Sequence, residues 1–467
     1  MIIEQLYTGC LSQGAYYIEC DKEAAVIDPL RDTAAYLQRA RQSGARIKYI
    51  LETHFHADFV SGHLDLQRKT GATIVYGPGA KGDFEMKVAS DGEELKLGRC
   101  VIKVIHTPGH TLESTCYLLK DEKEHEAALF TGDTLFIGDV GRPDLAQKLD
   151  ASLTPETLAD YLYDSLQNKI MPLSDDLLVY PGHGAGSACG KRLGEQRFDQ
   201  LGHQKRFNYA LDRSLDRKEF IAAVTEGLTP PPGYFPQNVL MNKRGYEPLD
   251  TVVARGRRRL TPAAFEAAAN ETHALMLDTR GSQDFAKAFI PNAVNIGIDG
   301  NFAAWAGTLI ADVQQPILVI ADEGREEEVI TRLSRVGLDH CIGYLDGGMD
   351  AWTADGRATD NITRISAKEL AGIIKQAPVA ILDVRKASEF AEGHVLDAVN
   401  IPLEYLNDKI DELDRNKTYY VYCAGGFRSM IFNSILRARG FNHLIDIQSG
   451  YQAIKESREI STTHYQL

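Results

Sequence analysis

Thr53-His54-Phe55-His56-Ala57-Asp58-Phe59-Val60-Ser61-Gly62-His63 follows directly on the apolar run Ile47-Lys48-Tyr49-Ile50-Leu51. Side chains alternate faces along an extended chain, so His54 and His56, two apart at a strand's exit, can project the same way toward one ion. Asp58 is near enough to join them as a ligand or to orient one through a hydrogen bond. The stretch also reads as a polar loop with helix-capping residues, because Asp58 and Ser61 are good N-cap types. A His pair alone is a weak motif, so a metal site needs further ligands from elsewhere in the chain.

Working outward, short apolar runs recur at 15–19, 24–27, 49–51, 73–75, 101–105, 114–119, 127–130 and 177–180, separated by Gly, Asp and Pro turns and by helix-like stretches at 33–42 and 62–70. This pattern predicts a mixed α/β domain with two sheets. Four runs end in ligand types: His54-x-His56-x-Asp58, then Thr107-Pro108-Gly109-His110-Thr111, then Thr131-Gly132-Asp133, then Pro181-Gly182-His183-Gly184. Gly and Pro let the backbone bend sharply after each strand, toward one shared edge.

The ordered set over residues 1–215 resembles the metallo-β-lactamase superfamily, which implies an αββα sandwich with a metal site at the strand edge. Gly132-Asp133-Thr134-Leu135-Phe136-Ile137-Gly138-Asp139-Val140-Gly141-Arg142-Pro143-Asp144 is similar to the persulfide dioxygenase branch, relatives of the glyoxalase II hydrolases. Two-metal members carry His after the motif aspartate, where this chain has Phe59. Phe cannot ligate, so a mononuclear site is expected. The resemblance implies one Fe(II) per chain, held by His54, His110 and Asp133, with Zn as the alternative metal. His56, Asp58 and His183 then stand behind the ligands or beside substrate, and His56 stays open as a ligand.

Arg142 matches a family arginine of the substrate site, and a guanidinium suits an anionic thiol carrier. The competing role is a structural pair with Asp139 or Asp144. Cys189 lies in the Gly-rich run after His183, where its thiol can hold a persulfide sulfur beside the metal if that loop folds over the cleft. His63, His106, His125 and His203 lack such context and are expected to be structural or exposed.

Composition sets the class: 467 residues, 44% hydrophobic and 25% charged, suggest about three soluble domains. A formal charge of −14 argues against a general nucleic-acid or anionic-membrane surface. There is no signal-peptide pattern and no membrane-length apolar run, so a cytoplasmic protein is expected. The seven cysteines (10, 20, 100, 116, 189, 341 and 423) form no CxxC pair and read as reduced thiols.

Thr229-Pro230-Pro231-Pro232-Gly233-Tyr234-Phe235-Pro236 is the strongest punctuation in the chain and predicts extended structure. The expected division is a metal-site domain over 1–228, a Pro-rich linker over 229–258 that takes in all but the last residue of the basic run 255–259, and two further domains over 259–358 and 359–467. Those two repeat one unit: Leu277-Asp278-Thr279-Arg280, Phe285 and Asn292-Ala293-Val294-Asn295-Ile296 recur as Leu382-Asp383-Val384-Arg385, Phe390 and Asp397-Ala398-Val399-Asn400-Ile401.

Both copies resemble rhodanese domains, which implies a parallel sheet with a catalytic cysteine at a strand–loop–helix turn. In the second copy that turn is Cys423-Ala424-Gly425-Gly426-Phe427-Arg428. Backbone N–H groups of such a loop point at the sulfur and stabilise a persulfide or bound anion. Gly425, Gly426 and Phe427 are thus expected to line the substrate, with Arg428 adding donors for sulfite or thiosulfate. In the first copy Ala321 replaces the cysteine within Ala321-Asp322-Glu323-Gly324-Arg325-Glu326. That copy is expected to be an inactive spacer or dimerisation surface, with Cys341 as packing.

The resemblances together match the persulfide dioxygenase–rhodanese fusions. They imply oxidation of a low-molecular-weight thiol persulfide by O2 to sulfite, and sulfur transfer through Cys423 to give thiosulfate. No nucleic-acid or membrane partner is expected, and a homo-oligomer is. The alternatives are a Zn-dependent thioester hydrolase of glyoxalase II type fused to a sulfurtransferase, and a non-catalytic sulfur carrier or sensor.

Overall fold

The computed structural model describes residues 1–145 and 153–464. The chain is α/β throughout and divides into two compact units, Met1–Thr251 with Ser334–Gly337, and Val252–Leu333 with Leu338–Leu467. Among the described residues no helix is long and apolar enough to cross a membrane.

The first unit is a sandwich of two six-stranded sheets. One sheet runs β1 (Ile2–Thr8), β2 (Gln13–Cys20), β3 (Glu23–Ile27), β4 (Arg46–Leu51), β5 (Thr73–Tyr76) and β6 (Lys87–Val88) in sequence order. The other contains β7 (Glu94–Leu97), β8 (Cys100–His106), β9 (Thr115–Lys120), β10 (Glu126–Gly132), β11 (Leu178–Pro181) and β12 (Asp199–Gln200), also in order.

Why these runs are apolar on consecutive residues follows from the layering. On β9, Tyr117 and Leu119 enter the core between the sheets, while Cys116 and Leu118 enter a second core beneath the helices Pro155–Ser165 and Arg217–Thr225. A strand buried on both faces loses the polar alternation of a half-exposed one. The ends of β4, β8, β10 and β11 each lead into one of the four ligand-bearing loops.

The stretch 229–258 departs from the linker expectation. Gly233 and Tyr234 form a turn, Phe235–Arg244 and Leu249–Gly256 are helices, and residues through Thr251 belong to the first unit. Pro236 sits in the first helical turn, where its missing N–H costs nothing. Tyr234, Phe235, Asn238, Val239 and Asn242 are buried, and that buried face makes the segment part of the fold.

The second unit holds two five-stranded parallel sheets. The first contains β13 (Arg259–Leu260), β14 (Leu275–Asp278), β15 (Val294–Asn295), β16 (Ile317–Ile320) and β17 (Cys341–Leu345), in spatial order β13-β17-β16-β14-β15. The second contains β18 (Thr363–Ile365), β19 (Ala380–Asp383), β20 (Val399–Asn400), β21 (Tyr419–Tyr422) and β22 (Leu444–Ile447), in the matching order β18-β22-β21-β19-β20.

Each copy has its own core around its sheet, and Met430 from the second copy's helix Phe427–Ala438 packs into the first copy's core. Asn295 N also donates to Ser434 Oγ on that helix at 2.9 Å.

Candidate metal centre and sulfur-transfer turn

Three groups in the first unit bring metal-ligand types within 4.8 Å of one another: His54, His110 and Asp133; Asp58, His183 and Cys189; and Asp28, Glu52 and His56. All are buried. Hydrogen bonds around the first group define what its atoms can do.

His110 Nδ1 lies 2.8 Å from the carbonyl oxygen of Arg142. A carbonyl only accepts, so Nδ1 carries the proton and Nε2 keeps its lone pair. Thr53 Oγ1 donates to Asp28 Oδ2 at 2.9 Å and lies 3.0 Å from His54 Nδ1. With its hydrogen committed to the carboxylate, Oγ1 accepts from Nδ1–H, which leaves the His54 Nε2 lone pair as well. The two Nε2 atoms face Asp133 Oδ2 at 3.9 Å (His54) and 3.4 Å (His110). That oxygen is buried with no hydrogen-bond partner. Two imidazole lone pairs and one orphaned carboxylate oxygen fit a metal cation held on one face.

His183 is disposed differently. Nδ1 lies 2.8 Å from Asp133 Oδ1 and Nε2 lies 2.8 Å from Asp58 Oδ2. Both partners are carboxylates, so both nitrogens donate and the ring is an imidazolium. Burial opposes that charge, but Asp133 and Asp58 outweigh it and hold its pKa well above the ordinary value. For Asp133, burial raises the pKa, yet His183 and the two ligand imidazoles outweigh it and hold the carboxyl far below the usual range. His54 is pushed well below its ordinary value by burial and then by the His56 charge, in keeping with a neutral ligand.

His56 turns away from this centre. Its Nε2 lies 3.0 Å from Asp28 Oδ1 and 3.4 Å from Glu52 Oε2, and its ring stacks on Phe59 with centroids 4.3 Å apart. Burial opposes its charge, but Asp28 and then Glu52 raise it to about 10. Phe59 is therefore more than a missing donor, since its ring covers one face of His56 inside the Asp28–Glu52 pair.

Backbone shape matters at two points. Gly132 has φ +48°, and a Cβ there would stand 2.4 Å from Thr53 Oγ1. A side chain would displace the hydroxyl that sets the His54 tautomer. A Cβ on Gly182 would stand 2.7 Å from Asp133 Oδ1, where His183 binds.

Arg142 makes the pair with Asp144 that was one of the two roles open to it. Nε and Nη2 bind Asp144 Oδ1 and Oδ2, each at 2.6 Å, and further bonds reach Thr229 O and Ala188 O. Its N donates to Cys189 O at 2.9 Å while its O accepts from His110. One residue thus ties a metal ligand to the Cys189 loop. Cys189 is buried beside Asp58 and His183, and burial followed by the carboxylates of Asp58 and Asp133 pushes its thiol well up, so it rests protonated.

Sequence reasoning missed the residues that hold these groups. Asn242 Nδ2 donates to His56 O and Phe59 O at 2.8 and 2.9 Å, and its Oδ1 accepts from Ser61 N at 2.9 Å. Glu113 Oε1 accepts from Phe55 N. Asn238 and Asn242 stand one helical turn apart and are both fully buried; that spacing was the available signal. Of the histidines set aside, His63 is fully buried beside Phe84 and Tyr246, with burial lowering it to about 3, and His203 pairs with Asp199.

In the second unit, the repeated motif is a repeated brace. Arg280 binds Asp278 and Ala288 O, and Asn295 Nδ2 donates to Asp278 O and Arg280 O. Arg385 binds Asp383 and Gly393 O, and Asn400 Nδ2 donates to Asp383 O and Arg385 O. The brace holds the loop after β14 or β19, from which Thr279 N donates to Ile320 O and Val384 N to Tyr422 O, the residue that leads into the sulfur-transfer turn.

There Cys423 is buried, and Gly426 N donates to its Sγ at 3.1 Å. Gly426 has φ +98°, which aims that N–H inward. Gly425 has nothing within 4 Å of a would-be Cβ and marks the open side of the turn. Two further residues of the turn have partners of their own. Arg428 donates both Nη groups to Glu389 at 2.6 and 2.8 Å, and the Phe427 ring lies against Gly297 and Gly300 of the first copy.

Comparisons with known proteins agree with this architecture. Residues 8–183 match the metallo-beta-lactamase superfamily model, and residues 261–355 and 366–457 each match the rhodanese-like domain. The persulfide dioxygenase ETHE1 of Homo sapiens is 34% identical over 166 residues, covering 35% of this chain and 59% of that protein. A probable hydroxyacylglutathione hydrolase of Schizosaccharomyces pombe is 30% identical over 183 residues, covering 38% of this chain and 66% of that protein. The chain thus spans about two thirds or less of these curated relatives' length. A solved metallo-beta-lactamase from Staphylococcus aureus is 31% identical, covers 74% of this chain and 98% of its own, and superposes with a TM-score of 0.64.

Proposed function

Since the chain belongs to the metallo-β-lactamase superfamily and carries two rhodanese-like domains behind that fold, we propose that the first unit, with its helices through Thr251, forms an Fe(II)-dependent persulfide dioxygenase and residues 359–467 a sulfurtransferase acting through Cys423. Residues 259–358 are the copy without a nucleophile.

The observation that carries the reading is the donor count. His54, His110 and Asp133 Oδ2 are set for one ion, while Phe59 offers no donor and both nitrogens of His183 are committed to carboxylates. A site with two imidazoles, one carboxylate and open positions suits ferrous iron better than closed tetrahedral zinc. When bound, Fe(II) supplies redox chemistry with O2. The protein orients the ligands through Thr53 and Arg142 O and holds Asp133 ionised through His183. In this reading Cys189, grouped with Asp58 and His183, holds sulfur beside the centre.

The overall change is thiol persulfide plus O2 plus water to thiol plus sulfurous acid, which ionises to sulfite. At Cys423, sulfite attacks the outer sulfur of a cysteine persulfide, the Sγ–S bond breaks, and thiosulfate leaves. The electron pair stays on Sγ, where Gly426 N–H stabilises it. Linking the two activities limits escape of a reactive product. The similarity to hydroxyacylglutathione hydrolases keeps zinc-dependent thioester hydrolysis as the rival.

The test is metal analysis of protein made without added zinc, with O2 uptake on glutathione, coenzyme A and hydrogen persulfides. A single iron per chain and O2 uptake abolished by His110→Ala are expected. Zinc occupancy with thioester hydrolysis and no O2 uptake would overturn the reading.

A further inference from the structure

Both rhodanese-like copies contribute to one cavity of about 510 Å³ beside the Cys423 turn. Gln283 and Lys287 come from the first copy, and Asn361, Arg364, Gln448 and Ser449 from the second. A volume of this size suits a small-molecule ligand.

The cavity adjoins the sulfur through a single residue. A Cβ on Gly426 would meet Arg364 Nη2 and Ser449 N, each at 3.7 Å, and Gly426 N is the group that donates to Cys423 Sγ. The cavity's Ser449 side is tied to the turn by Tyr451 N, which donates to Cys423 O at 2.7 Å, and by Gln452 N, which donates to Ala424 O.

Charge selects the ligand class. The chain carries −14 overall, yet the cavity lining contains Lys287 and Arg364 and no carboxylate. Two carboxylates stand behind these cations. Asp284 pairs with Lys287 at 2.8 Å on the surface, and buried Asp446 accepts from Arg364 Nε at 2.9 Å. An exposed pair of the first kind is weak and leaves the ammonium able to turn to a ligand. Amide groups of Gln283, Asn361 and Gln448 add neutral donors.

We propose that this cavity docks the anionic body of a low-molecular-weight thiol carrier while its sulfur exchanges with Cys423, and that the copy with Ala321 at the cysteine position sets carrier specificity through Gln283 and Lys287. The proposal rests on the reading that Cys423 transfers sulfur. In the accepting direction the carrier thiolate attacks the outer sulfur of the Cys423 persulfide, forming a new S–S bond. The Cys423 Sγ–S bond breaks, its electron pair stays on Sγ, and the carrier leaves as a persulfide anion. Loading is the reverse, and no oxidant or reductant enters.

The experiment uses the full chain with thiosulfate as donor and glutathione, coenzyme A or cyanide as acceptor. Glutathione presents carboxylates and coenzyme A phosphates, whereas cyanide is too small to span from Sγ to Lys287. In Lys287→Glu, the kcat/KM ratio of the favoured thiol to cyanide is expected to fall about tenfold, the loss of a charged hydrogen bond, with a smaller fall in Gln283→Ala. Whichever thiol loses more identifies carboxylate or phosphate as the docked group. An unchanged ratio for both thiols in both variants, or an unsubstituted chain that turns over cyanide but neither thiol, would overturn the docking proposal. Absence of cyanide turnover in the unsubstituted chain would instead overturn the sulfur-transfer reading beneath it.

Discussion

The two rhodanese-like copies share an internal brace and diverge at the turn it supports. Asp278, Arg280 and Asn295 repeat bond for bond as Asp383, Arg385 and Asn400. Thr279 N donates to Ile320 O as Val384 N donates to Tyr422 O, and Gly324 and Gly426 both have a positive φ. Yet Ala321 stands at the Cys423 position, Asp322 and Glu323 replace Ala424 and Gly425, and Glu326 replaces Arg428. The lesson is that the turn's shape belongs to the fold, whereas its chemistry resides in a few side chains free to change.

The strongest way to break that comparison is to move the nucleophile. Cys423→Ser is expected to lower thiosulfate–cyanide turnover by about 10³-fold or more, and to make the chain release sulfite in place of thiosulfate when fed a thiol persulfide and O2. Adding Ala321→Cys to that variant is expected to restore none of the turnover, because Asp322, Glu323 and Glu326 repel an anionic donor. Recovery in the double variant would mean that the acidic residues do not silence the first turn.

Sequence legibility followed the same divide between shape and chemistry. His54, His110, Asp133 and His183 stood out because metal-ligand types after strand ends are unusual, and Cys423 stood out because its Gly-rich turn has little other use. What could not be read was orientation. His56 has the same spacing whether it faces the metal or Asp28 and Glu52, and the choice lies with buried carboxylates distant in sequence. Arg142 likewise had two partners in prospect, and Asp144 takes it within the fold. Asn242 was hidden because Pro230-Pro231-Pro232 reads as a boundary, although the following helix is amphipathic and returns to the metal loop.

An intermediate effect sharpens the comparison at the shared brace. Asp278 and Asp383 are fully buried against Arg280 and Arg385. Replacing either by Ala leaves a largely buried guanidinium unpaired, an expected loss of about 3–5 kcal/mol, read as a lowered urea midpoint. Both variants are expected to lose similar stability, since the brace is the same. A markedly smaller loss for Asp278→Ala would indicate that the first copy has relaxed its brace along with its chemistry.

The smallest expected effect lies where the copies touch. Phe427 is the first residue of the helix behind the Cys423 turn, and its ring stands 2.7 Å from where a Cβ on Gly300 would lie. Gly300→Ala therefore forces the ring, and with it the start of the helix, to shift, an overpacking cost of about 1–3 kcal/mol. Gly426 immediately precedes that helix and donates to Sγ, so thiosulfate–cyanide turnover should fall along with stability. Phe427→Leu in the same chain removes the ring atoms that clash and is expected to restore turnover toward that of Phe427→Leu alone. Such recovery would assign the first copy a part in positioning the second copy's sulfur; loss of stability with no change in turnover would reduce the contact to packing.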